Sequence, residues 1–139
     1  DTPPRDAGFS LLELLVVLAI MGLLAAIVAP QVIRYLGSSR SQTSKVQIQN
    51  TAAALELYRL DVGRYPTGEE GLKALVSAPS TATGWNGPYL QQATALNDPW
   101  GKPYLYRTPG REGREIDVYT LGSDGAEGGS GEARDVGNW

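Results

Sequence analysis

The chain has no cysteine and no histidine among its 139 residues. Without cysteine there is no disulfide staple and no thiol nucleophile, and the compartment stays undecided on that ground. Without histidine there is no imidazole general base and no His-ligated zinc. Cations are scarce too: 12 Lys and Arg stand against 15 acids, for a net charge of −3. That leaves no basic surface of the kind nucleic-acid binding needs. Any catalysis would have to rest on carboxylates, hydroxyls and lysine, yet no paired carboxylates stand in an apolar context. No internal repeat is visible. At this length the chain is one domain of modest size, part of it an apolar segment, so its soluble core is small.

What is present begins with Gly8-Phe9-Ser10-Leu11-Leu12-Glu13, which opens a charge-free run from Leu14 to Ile33. At about 1.5 Å rise per residue this run reaches roughly 30 Å, the thickness of a hydrocarbon core. A carboxylate at the start of such a segment is costly to bury, and intramembrane ionisable groups are functional candidates by default. An ordinary signal anchor with Glu13 near its edge is the plain alternative. Residues 34–45 hold Arg34, Arg40 and Lys45 with no acid, whereas the first eight residues set Arg5 against Asp1 and Asp6. Taken bare, the positive-inside rule puts the C-terminal flank in the cytoplasm.

Helical spacing continues past the apolar run. Val46, Ala53, Leu57 and Leu60 fall on one helical face, while Gln42, Gln47, Gln49, Asn50, Glu56 and Arg59 populate others. Gly63 and Pro66 end the pattern. Phe9 to Leu60 is thus a nearly continuous helix of about 52 residues, on the order of 78 Å if unbroken. Pro30 is expected to kink or loosen it near residues 26–30, with Gly22 and Gly37 as further weak points. Two separate helices are the alternative.

A compact soluble part follows. Thr67-Gly68-Glu69-Glu70 reads as a capping box, Leu72, Leu75 and Val76 as the apolar stripe of a short helix, and Pro79 as its stop. Residues 77–102 are rich in Gly, Pro, Ser, Thr and Asn, which makes a long loop anchored by Trp85, Tyr89 and Trp100. Pro103–Arg107 and Glu115–Thr120 alternate as two strands joined through residues 110–113. Ile116 and Val118 share one face, Asp117 and Tyr119 the other.

The tail from Leu121 to Val136 is dense in glycine and in acids: Asp124, Glu127, Glu132 and Asp135. Calcium takes six to eight hard oxygens at about 2.3–2.6 Å in forgiving geometry. The spacing does not fit the EF-hand template. Composition alone favours a solvated acidic tail; the ending Asn138-Trp139 argues against it.

The N-terminal block resembles the class III signal of type IV pilins and pseudopilins. That resemblance implies cleavage between Gly8 and Phe9 by a prepilin peptidase, methylation of the new N-terminus, and Glu13 as the fifth mature residue, with Phe9 and Glu13 serving assembly. The chain begins at Asp1 rather than Met, so a truncated leader is expected over 1–8; its scarcity of basic residues departs from the usual leader. Further blocks, Tyr58-Arg59-Leu60-Asp61-Val62-Gly63-Arg64-Tyr65-Pro66-Thr67, Gly71–Val76, Gly87-Pro88-Tyr89-Leu90, Asp98–Tyr104 and Gly137-Asn138-Trp139, resemble the major pseudopilin branch of type II secretion systems. A type IV pilus or competence pseudopilus subunit is the runner-up.

The resemblance implies an α+β, pilin-like fold: a long N-terminal helix, membrane segment plus amphipathic stem, packed on a small antiparallel β-sheet with a C-terminal loop. It divides the chain into a leader (1–8), a transmembrane and filament-core helix (9–33) and a periplasmic domain (34–139). It further implies a structural subunit rather than an enzyme, in the bacterial inner membrane as a single-pass protein. The expected partners are further copies in a homopolymer, minor pseudopilins, the prepilin peptidase, the inner-membrane assembly platform and inner-membrane lipid, and no nucleic acid. One calcium is expected in the tail loop, with carboxylate oxygen from Asp124 and Asp135 and backbone oxygen from Leu121, Ser123 and Val136.

Overall fold

The computed structural model describes residues 8–91 and 93–139; the expected leader, apart from Gly8, lies outside them. A single helix, α1, runs Leu11–Val62, with Pro30 inside it. Pro30 removes one backbone donor and crowds the preceding turn, yet the helix does not end there, so the expectation of one long helix holds over that of two. Gly63 closes α1, its N–H bonding the Arg59 carbonyl at 2.8 Å.

The chain divides into two compact units, one through Leu36 and one from Gly37 to Trp139. In the first, every described residue is exposed. It contains an apolar window of mean hydropathy 2.9, none of it buried within the protein, long and apolar enough to cross a membrane.

The second unit builds its core on the rest of α1. The buried stripe is Ser44, Ile48, Thr51, Leu55 and Tyr58, at alternating offsets of four and three that keep one helical face inward. The face marked by Val46, Leu57 and Leu60 is instead exposed, because the buried stripe contains two hydroxyls that apolar spacing does not register. Ser44 and Thr51 return their hydroxyls to the carbonyls of Arg40 and Gln47, one turn back, at 3.0 and 2.9 Å. Burying them therefore leaves no donor unmet.

Ile48, Leu55 and Tyr58 pack with Leu72, Ala74, Leu75, Tyr104, Ile116 and Val118. Thr67 does accept the Glu70 N–H, at 3.2 Å, but the capping box is incomplete and no α-helix follows. Gly71 at φ +62° turns the chain out of helical geometry, and Leu72–Leu75 form a single 3₁₀ turn. The Glu70 carboxylate goes to Arg64 at 2.8 Å and to the Tyr58 hydroxyl at 3.0 Å. The hydrogen bond from Arg64 holds that carboxyl below its usual range.

The loop anchors behave as expected for Trp85 and Tyr89. Trp85 donates its indole N–H to the Ala74 carbonyl at 2.7 Å, and Tyr89 meets Tyr58 and Trp85 edge-on, with centroids 5.8 and 5.6 Å apart. Trp100 is half-buried. The sheet has three antiparallel strands in the order β1 (Leu105–Arg107), β2 (Asp117–Thr120), β3 (Val136–Gly137). Leu105 pairs with Tyr119, and Tyr119 in turn with Gly137. The two expected strands are present but shorter at their starts, and β3 is an addition that two residues of sequence do not announce.

Candidate functional site

At the head of α1, the Ser10 hydroxyl accepts the Glu13 backbone N–H at 3.2 Å, which is an N-cap. The small residue of the N-terminal block therefore starts the helix. Glu13 sits in the first turn, where the positive end of the helix dipole favours an acid. Gly8, Phe9 and Glu13 are all exposed.

The second region is the loop from Leu121 to Val136, closed between β2 and β3. Gly122 has φ +76°, and a Cβ on it would stand 2.5 Å from the Glu132 carbonyl oxygen. Only glycine allows the two legs of the loop to approach so closely. Beside it, the Ser123 N–H donates to that same carbonyl at 2.9 Å. Asp124 uses one carboxylate oxygen to accept the Ala126 N–H at 3.1 Å. Asp135 accepts the Gly128 N–H through Oδ2 at 3.1 Å, while its Oδ1 is buried with no hydrogen-bond partner. Asp135, Leu121 and Glu127 line a surface cavity; Asp124, Ser123 and Val136 are not in that lining. Among the described residues no three acidic side chains converge as a metal cluster. A cation held here would thus depend on backbone oxygen as well as on carboxylates.

Asp117 forms the third cluster; it shares the Tyr119 face of β2, as alternation predicts, and that face is covered too, with Arg107 reaching both residues. It is fully buried, alongside Ile116 and Val118. Its carboxylate accepts from Arg107 at 2.7 Å, from Arg114 at 2.7 Å and from the Arg111 backbone N–H at 2.9 Å. Burial alone would raise this carboxyl, but those three donors outweigh it and hold the group far below the ordinary carboxylate range. The two guanidiniums then cover aromatic faces: Arg107 lies 5.0 Å from the Tyr119 centroid and Arg114 5.0 Å from that of Trp139. Trp139 also leans on Tyr119, 6.0 Å between centroids. Trp139 is thereby held against β2 on one side, while about half of it stays exposed. Asn138 reinforces this, accepting the Val118 N–H and donating to the Ile116 carbonyl at 3.1 and 3.2 Å.

The model of the type II secretion system protein G family matches residues 31–139, and that of the prokaryotic N-terminal methylation motif matches residues 3–29. The chain is 43% identical over 139 residues to the type II secretion system core protein G of Pseudomonas aeruginosa, covering 97% of this chain and 96% of that one. It is 41% identical over 138 residues to the core protein G of Vibrio cholerae, covering 97% and 92%.

The chain belongs to the type II secretion system protein G family.

The fold agrees. The major pseudopilin from the type 2 secretion system of enterohaemorrhagic Escherichia coli superposes with a TM-score of 0.62 at 33% identity, covering 73% of this chain and 88% of that one. The protein is a major pseudopilin, a component of a secretion system. Sequence reading of this pseudopilin found the N-terminal block and the acidic loop. It missed Asp117, for which the only signal was the density of arginine at 107, 111 and 114 around one acid.

Proposed function

We propose that this pseudopilin is cut between Gly8 and Phe9 by a prepilin peptidase and methylated on Phe9. It then polymerises into a pseudopilus in the periplasm. Residues 9–33 form its single inner-membrane span and residues 34–139 its periplasmic domain. It has no active site of its own; its work is packing, with copies of itself, with minor pseudopilins and on the inner-membrane assembly platform. One observation carries this reading: an apolar helix from Leu14 to Ile33 with no buried residue, headed by a single carboxylate. Such a surface needs lipid before assembly and neighbouring stems after it. An unpaired carboxylate in the bilayer costs several kcal/mol. Its partner here is the amine of Phe9 on an adjacent copy, a pair that sets axial register more than it adds stability.

The test expresses the chain with a full leader beside its peptidase. Intact mass is expected to give a chain starting at Phe9 and carrying one methyl. Glu13→Ala should insert and fold but assemble poorly. A different mature N-terminus, or filaments of that variant as abundant as wild type, would sink the respective half of the proposal.

The loop between β2 and β3 is read as a calcium site. Asp124 and Asp135 supply carboxylate oxygen, and the carbonyls of Leu121, Ser123 and Val136 supply the rest. Support comes from Asp135 Oδ1, a buried acceptor with no partner, and from a donor set made only of hard oxygen. Bound there, the ion would neutralise two aspartates and offset the ordering entropy of a glycine-rich segment, about 1–2 kcal/mol per residue. The gain appears only while free calcium exceeds its dissociation constant. Melting in calcium and in chelator is expected to separate the wild-type midpoints and to leave Asp124→Ala and Asp135→Ala unmoved. Coincident wild-type curves would return the loop to a solvated-tail reading.

A further inference from the structure

We infer that Glu132 is a positioning residue that seats the metal loop on the stem at Gly37, so that ordering the loop also holds the first stem turns of the soluble unit. This rests on the calcium reading above. Gly37 is buried although Leu36 and Ser38 beside it are exposed. What covers it is the Glu132 side chain: a Cβ on Gly37 would overlap Glu132 Cγ and stand 2.8 Å from Cδ. One turn further along α1, Arg40 Nη1 lies 3.4 Å from Glu132 Oε1. The backbone of Glu132 meanwhile accepts the Ser123 N–H, next to Asp124. One residue therefore faces the stem with its side chain and the proposed ligand loop with its main chain.

The charge pattern agrees with this placement. Residues 34–45 carry Arg34, Arg40 and Lys45 without an acid of their own. The loop brings Glu132 to Arg40 across 92 residues of sequence. Magnitudes say what must drive the seating. The Arg40–Glu132 pair is half-exposed on the arginine side and a third exposed on the glutamate side. A pair of that kind is worth too little to order a glycine-rich loop against its entropy. Seating therefore follows from whatever else orders the loop, and on the calcium reading that is the ion. Gly37 supplies a notch, Glu132 the peg, and Arg40 the charge that keeps the peg in register.

The test uses the full chain in detergent micelles, with calcium or with chelator, as wild type, Gly37→Ala, Glu132→Ala and the reversed pair Arg40→Glu with Glu132→Arg. Two quantities are read: the melting midpoint and amide hydrogen exchange over residues 37–44. Calcium is expected to raise the midpoint of every variant and to slow exchange over 37–44 in wild type by about threefold, the factor within reach of a partly exposed pair. Gly37→Ala and Glu132→Ala should lose that slowing while still responding in midpoint, and the reversed pair should regain part of it. A calcium-raised midpoint with unchanged exchange over 37–44 in wild type would overturn this inference alone. So would slowing that persists in Glu132→Ala. A wild-type chain that answers calcium in neither quantity would overturn the calcium reading and this inference with it.

Discussion

Asp117 shows how one acid can be central to a small soluble core. It is fully buried, and its two guanidinium partners are only a little over one quarter exposed. Taking one member from a buried ion group leaves the others desolvated without compensation, at a cost of about 3–5 kcal/mol. Since the arginines keep some water, Asp117→Asn should cost somewhat less, about 2–3 kcal/mol by the same reasoning. Chemical denaturation of the variant against wild type reads this directly; a loss under 0.5 kcal/mol, the size of an ordinary surface change, would show the cluster to be superficial. The same substitution should free Trp139, whose ring is stacked under Arg114, and shift its fluorescence.

At the scale of elements, α1 carries two chemically different faces along its second half. Leu55 is fully buried and Leu57, two residues on, is about half exposed. Leu55→Ala should therefore cost the isolated subunit about 2–5 kcal/mol, and Leu57→Ala within about 0.5 kcal/mol of nothing. Thermal unfolding of both variants decides it, and a larger loss for Leu57→Ala than for Leu55→Ala would mean that the stem packs by the other face. This is also where reading from sequence ran out. The long helix, its end at Gly63, the two main strands and the aromatic anchors Trp85 and Tyr89 were all legible, since each follows from local periodicity or turn chemistry. The inward face of the stem was not, because Ser44 and Thr51 satisfy themselves within the helix and look polar on paper. Nor was β3, a two-residue strand that exists only because β2 offers it an edge. In the acidic loop the composition was plain, but the approach of Glu132 to Gly37 depends on contacts 95 positions apart, which no local pattern carries.

For the whole molecule, the absence of histidine leaves a wide pH plateau. Asp117 and Glu70 have carboxyls held below their ordinary range. Their contribution is fully present above about pH 5 and is lost as pH falls below that toward their folded values. Tyr58, Tyr104 and Tyr106 are pushed up to about 12, first of all by burial. The folded state keeps those phenols neutral while an unfolded chain would ionise above about pH 10, so stability falls as pH rises from about 10 toward 12. In chelator, the unfolding free energy of the chain is expected to be nearly flat between about pH 5 and 9 and to drop on both sides. A step near pH 6.5 would contradict this, for no imidazole is available to produce it.

The sheet has a bearing on how copies of this chain avoid the wrong kind of fibre. Its outer strands, β1 and β3, are three and two residues long, so each offers only a short row of open backbone donors and acceptors. Strand-on-strand addition propagates along long, flat, unpaired edges, and a subunit kept crowded in a membrane would be exposed to that hazard. With its sheet this brief at both margins, the chain offers little edge for strand addition, and the assembly proposed above would rest on other surfaces. Fibre diffraction from assembled material should accordingly lack a meridional reflection at about 4.7–4.8 Å, the spacing that marks stacked strands.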